Sequence, residues 1–184
     1  MRIDYFILIV SSILFFTSCS DLLIRRSSEY SISNFSEISD IAMLDGTYEN
    51  NKKDEKPYKY YSHRDYKGKL SNIFYLPSDT INVVSLKFNK DHMILTFDTD
   101  SIRQEKIYKG KFKNNSYFEV TVSKEIIPVP FIFFIWNTER VRIGRNEEKG
   151  LLIHYWRDNL GWVFFIATAR DIVDYEYIFN EFDP

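Results

Sequence analysis

Val84-Ser85-Leu86-Lys87-Phe88-Asn89-Lys90-Asp91-His92-Met93-Ile94-Leu95-Thr96-Phe97 is the stretch on which the fold turns. Val84, Leu86 and Phe88 alternate with Ser85 and Lys87, so the apolar side chains recur with the period of a strand that buries one face. Asn89-Lys90-Asp91 is rich in turn formers, and Met93, Leu95 and Phe97 resume the alternation. Two such runs joined by a short polar break predict a β-hairpin.

The pattern continues downstream. Tyr108, Gly110 and Phe112 alternate with Lys109 and Lys111. Asn114-Asn115 is a two-residue turn of the kind that accepts positive φ, and Phe118, Val120 and Val122 return. Val141 and Ile143 precede a turn at Glu147-Glu148-Lys149-Gly150, followed by Leu151 to Trp156. A further turn at Asp158-Asn159-Leu160-Gly161 feeds Trp162 to Thr168, and Tyr175 to Phe179 closes the series. With Gly46-Thr47-Tyr48 as the first, eight or nine strands are expected, spaced as in an antiparallel meander. No helical pattern of about 10–15 residues separates them, which disfavours a parallel α/β sheet.

Ahead of the first strand, Asn34 and Glu37 have capping-box spacing. Phe35, Ile38, Ile41 and Ala42 follow at helical intervals and Gly46 supplies a stop, so one short helix is expected up to about Leu44. Leu151–Trp156 and Trp162–Ala167 are apolar on both faces, which implies a closed or doubly packed sheet. The expected class is therefore all-β and mostly antiparallel. A small up-and-down barrel of eight or nine strands with one or two short helices satisfies the pattern. A β-sandwich is the alternative.

Composition narrows the function. The chain has 184 residues, which suits one domain plus a targeting segment. Its 24 basic and 26 acidic residues leave a net charge of −2, against a general nucleic-acid binder. With 16 Phe and 13 Tyr it can fill a core, so wholesale disorder is excluded. A single Cys forms no internal disulfide and no Cys-based zinc site.

That Cys has a specific place. After Met1-Arg2-Ile3-Asp4 an unbroken apolar or small run leads from Tyr5 to Cys19, which reads as a secretory signal. It is too short for a comfortable permanent span, which needs about 20 apolar residues. The break Phe16-Thr17-Ser18-Cys19 resembles the bacterial lipoprotein signal, in which small residues precede an obligatory Cys. A thiol is the side chain best suited to take a diacylglyceryl group, and each buried CH₂ of the acyl chains adds about 0.8 kcal/mol of attachment. The resemblance implies lipidation at Cys19, attachment in the bacterial envelope and, with Ser20 rather than an acidic residue next, the outer membrane. Periplasmic and surface faces both stay open. The expected organisation is a signal over residues 1–18, a lipidated, Ser-rich tether over 19–33 and a single β-domain over 34–184.

Two segments invite a binding reading. Lys52, Lys53, Lys56, Lys59, Arg64, Lys67 and Lys69 outnumber Asp54, Glu55 and Asp65 between Asn51 and Lys69, with Tyr58, Tyr60, Tyr61 and Tyr66 interleaved. Lys52, Lys53, Lys56, Tyr58, Lys59, Tyr60 and Tyr61 form a candidate surface-binding loop for an envelope glycan, lipid or protein, since rings stack where cations pair. A merely solvated insertion is the reading favoured for the same residues, because long loops are often simply tolerated. Ile126 to Trp136 is a run of eleven apolar residues broken only by Pro128 and Pro130. It is either a greasy edge that touches lipid or a partner, or a buried, kinked strand leading into the Val141 hairpin. The base rates of apolar burial favour the second.

Catalytic signals are lacking. His63, His92 and His154 stand singly, and His154 reads as a packed histidine within a strand. Asp98-Thr99-Asp100 starts like a calcium loop, but Ile102 and Arg103 do not continue it. No nucleophile elbow, phosphate loop or metalloprotease helix motif occurs. Neither an enzyme, nor a metal, nor a cofactor is expected.

Leu44-Asp45-Gly46-Thr47-Tyr48-Glu49-Asn50, Lys109-Gly110-Lys111-Phe112-Lys113-Asn114, Tyr117-Phe118 and Ile127-Pro128-Val129-Pro130-Phe131 follow one another after the lipoprotein signal. In that order they resemble an uncharacterised Bacteroidota lipoprotein family with a lipocalin-like β-barrel domain. The resemblance implies a non-catalytic binding or scaffolding module anchored in the envelope. It also leaves room for a carrier of a small hydrophobic ligand, whose cavity would be lined by Tyr108, Phe112, Phe118 and Trp162.

Overall fold

The computed structural model describes residues 35–57, 68–77, 80–99, 102–129, 133–148, 150–163 and 167–183. Within them lie nine strands: β1 (Gly46–Glu49), β2 (Asp54–Pro57), β3 (Val83–Phe88), β4 (His92–Thr99), β5 (Ile102–Lys113), β6 (Tyr117–Val129), β7 (Phe133–Arg145), β8 (Leu151–Val163) and β9 (Ala167–Phe179). They form one antiparallel sheet in the order β1-β3-β4-β5-β6-β7-β8-β9-β2. From β3 to β9 it is an up-and-down meander, so the all-β, mostly antiparallel class holds.

The sheet does not close into a barrel. No ladder of the described strands joins its two edges. An isolated bridge pairs Tyr48 with Glu181, where Glu49 N–H donates to Asn180 O and Phe182 N–H donates to Thr47 O. The short β1 runs out after that contact, so one bridge forms where a barrel needs a full ladder. The sheet nevertheless folds over on itself. Val84, Leu86 and Phe88 of β3 share one buried cluster with Val141, Ile143, Ile153, Tyr155 and Tyr177 of β7, β8 and β9.

Two helical pieces accompany the sheet. The expected helix before Leu44 is a single 3-10 turn, Ile41–Leu44, whose N-cap is Asp40 rather than Asn34. The Asp40 carboxylate accepts from Ala42 N–H, and Phe35 to Asp40 are not helical. Backbone bonds from Ser36 to Arg145 O and from Ile38 to Asn115 O draw this stretch across the strand ends instead, and those bonds compete with a helix ladder. Helix α1 (Leu70–Ile73) covers the core with Leu70, Ile73 and Phe74. It ends in a Schellman motif, with Leu76 N–H on Ser71 O and Tyr75 at φ 50°, where a Gly is usual.

The hairpins differ from expectation at Asp158–Gly161 and within Ile126–Trp136, where β6 turns back into β7 with Val129 opposite Phe133. Asn114 and Asn115 make the expected turn at φ 53° and 49°. The expected turn at Asp158–Gly161 is absent: β8 runs straight through it and pairs residue by residue with both neighbours up to Val163. Polar Asp158 is accommodated because it meets Arg170 at the sheet's waist, and Asn159 stands between Asn137 and Asp171 in the register. The strands β6 to β9 are therefore 13 residues long and project past the rest of the sheet.

β5 explains the projection. Its first part, Ile102–Lys109, pairs with β4, and its last four residues, Gly110–Lys113, pair with β6 at Tyr117–Val120. Beyond a bulge at Thr121–Ser123 the described ladder partner of β6 is β7. Pro128, which a central strand would refuse, sits on this edge opposite Phe134.

Candidate functional site: the apolar end of the long strands

Cross-strand partners share a face, so the register of β6 to β9 sorts their residues. Near the base the core face carries Phe118, Val141, Ile143, Ile153 and Tyr177, all fully buried. Toward the far end the same face carries Glu139 opposite Arg157, then Asn137 opposite Asn159, then Ile127 opposite Ile135. The outer face runs from His154 and Arg142 through Thr138 and Asp158 to Trp136 opposite Ile126 and Leu160, and Phe134 opposite Trp162. The polarity profile is similar on both faces: a middle belt of charge, then an apolar end, whose first outer-face level (Ile126, Trp136, Leu160) still has Arg170 at its β9 side.

That end is in solvent. Ile126 is 46%, Ile127 39%, Ile135 39%, Trp136 42% and Trp162 37% exposed. Of the two readings of Ile126–Trp136, the buried strand is overturned and the greasy edge remains. The reason is topological: the β5–β6 ladder ends at Gly110 and Val120, and among the described residues β6 has only β7 as a ladder partner beyond that point.

The aromatic side chains there order one another. Phe134 packs edge-on to Trp136 at 6.5 Å and tilted against Trp162 at 6.2 Å. The Trp136 indole N–H donates to Thr138 Oγ1 at 2.6 Å, and Lys124 Nζ lies 5.5 Å from its ring. The polar edge of Trp136 thus points back to the belt while its hydrocarbon faces the end. Within the belt Asp158 holds Arg170 at two points, Arg157 approaches Asp171 at 3.5 Å, and Arg140 lies 5.5 Å from the Trp156 ring.

On the core face the belt closes over buried polar groups. Glu139, 4% exposed, accepts from Tyr75 O–H at 2.6 Å. Burial, and then Glu139 beside it, push the Tyr155 hydroxyl well above the usual phenol range. Lys106 Nζ donates to the Phe74 and Tyr75 carbonyls at 3.0 and 3.2 Å, and Tyr108 O–H donates to Phe74 O. A cation at the end of α1 satisfies carbonyls that the helix leaves open. The outer face also buries polar groups. His154 hydrogen-bonds Asp174 and stands opposite Glu176, each 5% exposed. Glu119 is gripped by Lys113 at 2.6 Å and Arg142 at 2.9 Å; burial raises its pKa, but these two cations outweigh burial and hold it below the usual range.

The residues singled out from the sequence scatter. Phe118 and Tyr108 belong to the core cluster and Phe112 packs against it, whereas Trp162 stands at the exposed end on the outer face. The four do not meet. Lys52 Nζ lies 6.0 Å from the Tyr177 ring, Lys53 reaches Glu148 at 3.8 Å, and Lys56 pairs along the backbone with Glu176. Cys19, Tyr58, Lys59, Tyr60 and Tyr61 lie outside the described residues. Lys53 also borders a groove of about 440 Å³ at the opposite end of the sheet, with Glu49, Asn146, Glu148, Ile178 and Glu181.

Among the described residues no group of three or more His, Cys, Asp or Glu side chains is placed to hold a metal, and no helix is long and apolar enough to cross a membrane. Comparison with family models, curated proteins and solved structures gives no match to this chain. The geometry therefore carries the functional argument.

Proposed function

We propose that this chain is a lipid-anchored protein of the bacterial envelope whose β-domain is a non-catalytic binding module, working through the apolar end of β6 to β9. The anchor reading rests on Phe16-Thr17-Ser18-Cys19 after an apolar run. The binding reading rests on one observation: five large apolar side chains, Ile126, Ile127, Ile135, Trp136 and Trp162, stand more than a third exposed together. A folded chain leaves such a patch uncovered at a cost of about 25 cal/mol for each Å² of apolar surface, and patches of this kind mark contact sites. The resemblance to a Bacteroidota lipoprotein family agrees with both, and Ser20 favours the outer membrane.

The anchor is tested by metabolic labelling with radioactive fatty acid. The native chain takes up label and Cys19→Ala does not. Label retained by the variant, or a native chain that takes up none, would contradict the anchor. The binding role is tested by charge: Ile126→Asp with Ile135→Asp abolishes partner capture in envelope crosslinking, and unchanged crosslinks would contradict it.

A further inference from the structure

We propose that the apolar end of β6 to β9 is a foot that dips into one leaflet of a lipid bilayer. The proposal rests on the envelope reading above, and its test separates the two.

Three observations favour lipid over a folded partner. The first is that both faces of one sheet segment are apolar and exposed. Ile127 and Ile135 lie on the core face, and Ile126, Trp136 and Trp162 on the outer face. A folded protein docked on a sheet covers one face, whereas acyl chains surround both.

The second is depth. Beyond the last charge, β7 offers Phe133 to Trp136, about 14 Å at about 3.4 Å per residue. A spanning strand needs about 9–11 residues to cross a hydrocarbon core of about 30 Å. This end reaches halfway at most. Among the described residues the far parts of β6 and β9 have no outer ladder partner, which also forbids full immersion, because backbone groups without partners are not tolerated in hydrocarbon. Both facts set a shallow position, about 5–10 Å into the headgroup and acyl boundary.

The third is the order of groups along that depth. Trp136 keeps its N–H on Thr138 and turns its ring toward the end, with Lys124 beside it. Tryptophan at the boundary with a long cation just outside is the arrangement that interfaces select. Reach is sufficient as well. The domain starts at the base, where Ser36 bonds Arg145, about 37 Å from Phe134 along β7. The chain from Cys19 to Phe35 has a contour of about 54 Å, so anchor and foot can meet the same bilayer.

The three tryptophans, Trp136, Trp156 and Trp162, all lie in β7 and β8, and the segment around Cys19 contains none. Tryptophan emission therefore reports the foot and not the anchor. The full chain carrying Trp156→Phe is reconstituted in phosphatidylcholine–phosphatidylglycerol vesicles with and without brominated acyl chains. The expected result is blue-shifted emission that is quenched in the brominated vesicles. Adding Ile127→Asp and Ile135→Asp is expected to abolish the quenching while sedimentation with vesicles and the β circular-dichroism spectrum persist. Emission that bromine leaves unchanged overturns the proposal even if the chain sediments, in which case the anchor stands alone. A blue shift without quenching, accompanied by concentration-dependent oligomers in ultracentrifugation, also overturns it and assigns the end to a second copy of the chain. Quenching retained in Cys19→Ala supports the foot independently of the anchor.

Discussion

Asp158 and Arg170 face each other across β8 and β9 as a two-point ion pair, Nε to Oδ1 at 2.8 Å and Nη2 to Oδ2 at 2.6 Å. Leu160, the cross-strand partner of Arg170, begins the uncharged end of the strand. The pair marks the level at which the sheet passes from a charged belt to an apolar end. Both side chains are only 18% exposed, so the fork geometry counts for more than in a solvent-exposed pair. Asp158→Asn removes half of the pair and leaves the guanidinium largely buried. It is expected to lower stability by about 1–3 kcal/mol in urea unfolding, and an unchanged midpoint would contradict the pair's role in holding the long hairpin straight.

Tyr75 joins the helix to the belt. It occupies a left-handed position at φ 50°, which costs a non-Gly residue about 1–2 kcal/mol, and in return its hydroxyl reaches buried Glu139. Tyr75→Phe keeps the strain and loses the hydrogen bond, so it is expected to cost about 1–2 kcal/mol. Tyr75→Gly loses the bond but relieves the strain, and is expected to cost less. Denaturant unfolding of the two variants checks the order, and a Gly variant less stable than the Phe variant would contradict this division.

Gly144 is where the domain's first residues cross the sheet. A Cβ there would stand 2.7 Å from Ser116 O and closer still to the Phe35 ring. Phe35 in turn stacks on Tyr117 at 5.2 Å. Gly144→Ala is expected to displace Phe35 and destabilise the domain by about 1–3 kcal/mol. The readout is thermal unfolding, and a neutral substitution would show that the Phe35 segment does not pack as described.

Glu119 makes stability depend on acid. Burial opposes its ionisation, but hydrogen bonds and charge from Lys113 and Arg142 prevail and depress its pKa below the ordinary 4.5. A depressed folded pKa contributes stability that is complete above the unfolded value and is lost as pH falls through the folded one. The native chain is therefore expected to exceed Glu119→Gln by about 1 kcal/mol at pH near 7. That advantage shrinks as the pH drops below about 4.5. Melting curves of both proteins across that range check it, and a gap that widens in acid would contradict the sign.

Much of this architecture is legible in the chain. Alternation in Val84–Phe97 and the Asn114-Asn115 turn give strands and register directly, because period and turn chemistry are local properties. The Asp158–Gly161 turn misleads because four turn-forming residues lie inside a long strand, where Asp158 is held by Arg170, a partner 12 residues away. Ile126–Trp136 misleads for the opposite reason. Composition announces burial, but burial depends on whether another element stays against the segment, and β5 leaves β6 at Gly110 to pair with β4 alone. Closure of the sheet is equally nonlocal, since it depends on the reach of the four-residue β1 toward Glu181. Trp162 does not join Tyr108 and Phe118, because the continuous β8 carries it to the far end.

Hydroxyl-radical footprinting of the full chain, in solution and on phospholipid vesicles, tests the uncovered apolar end most directly. Heavy modification of Trp136 and Trp162 in solution and marked protection on vesicles are expected, with the core rings of Phe118 and Tyr155 protected in both. Protection of the two tryptophans already in vesicle-free, monomeric protein would contradict it.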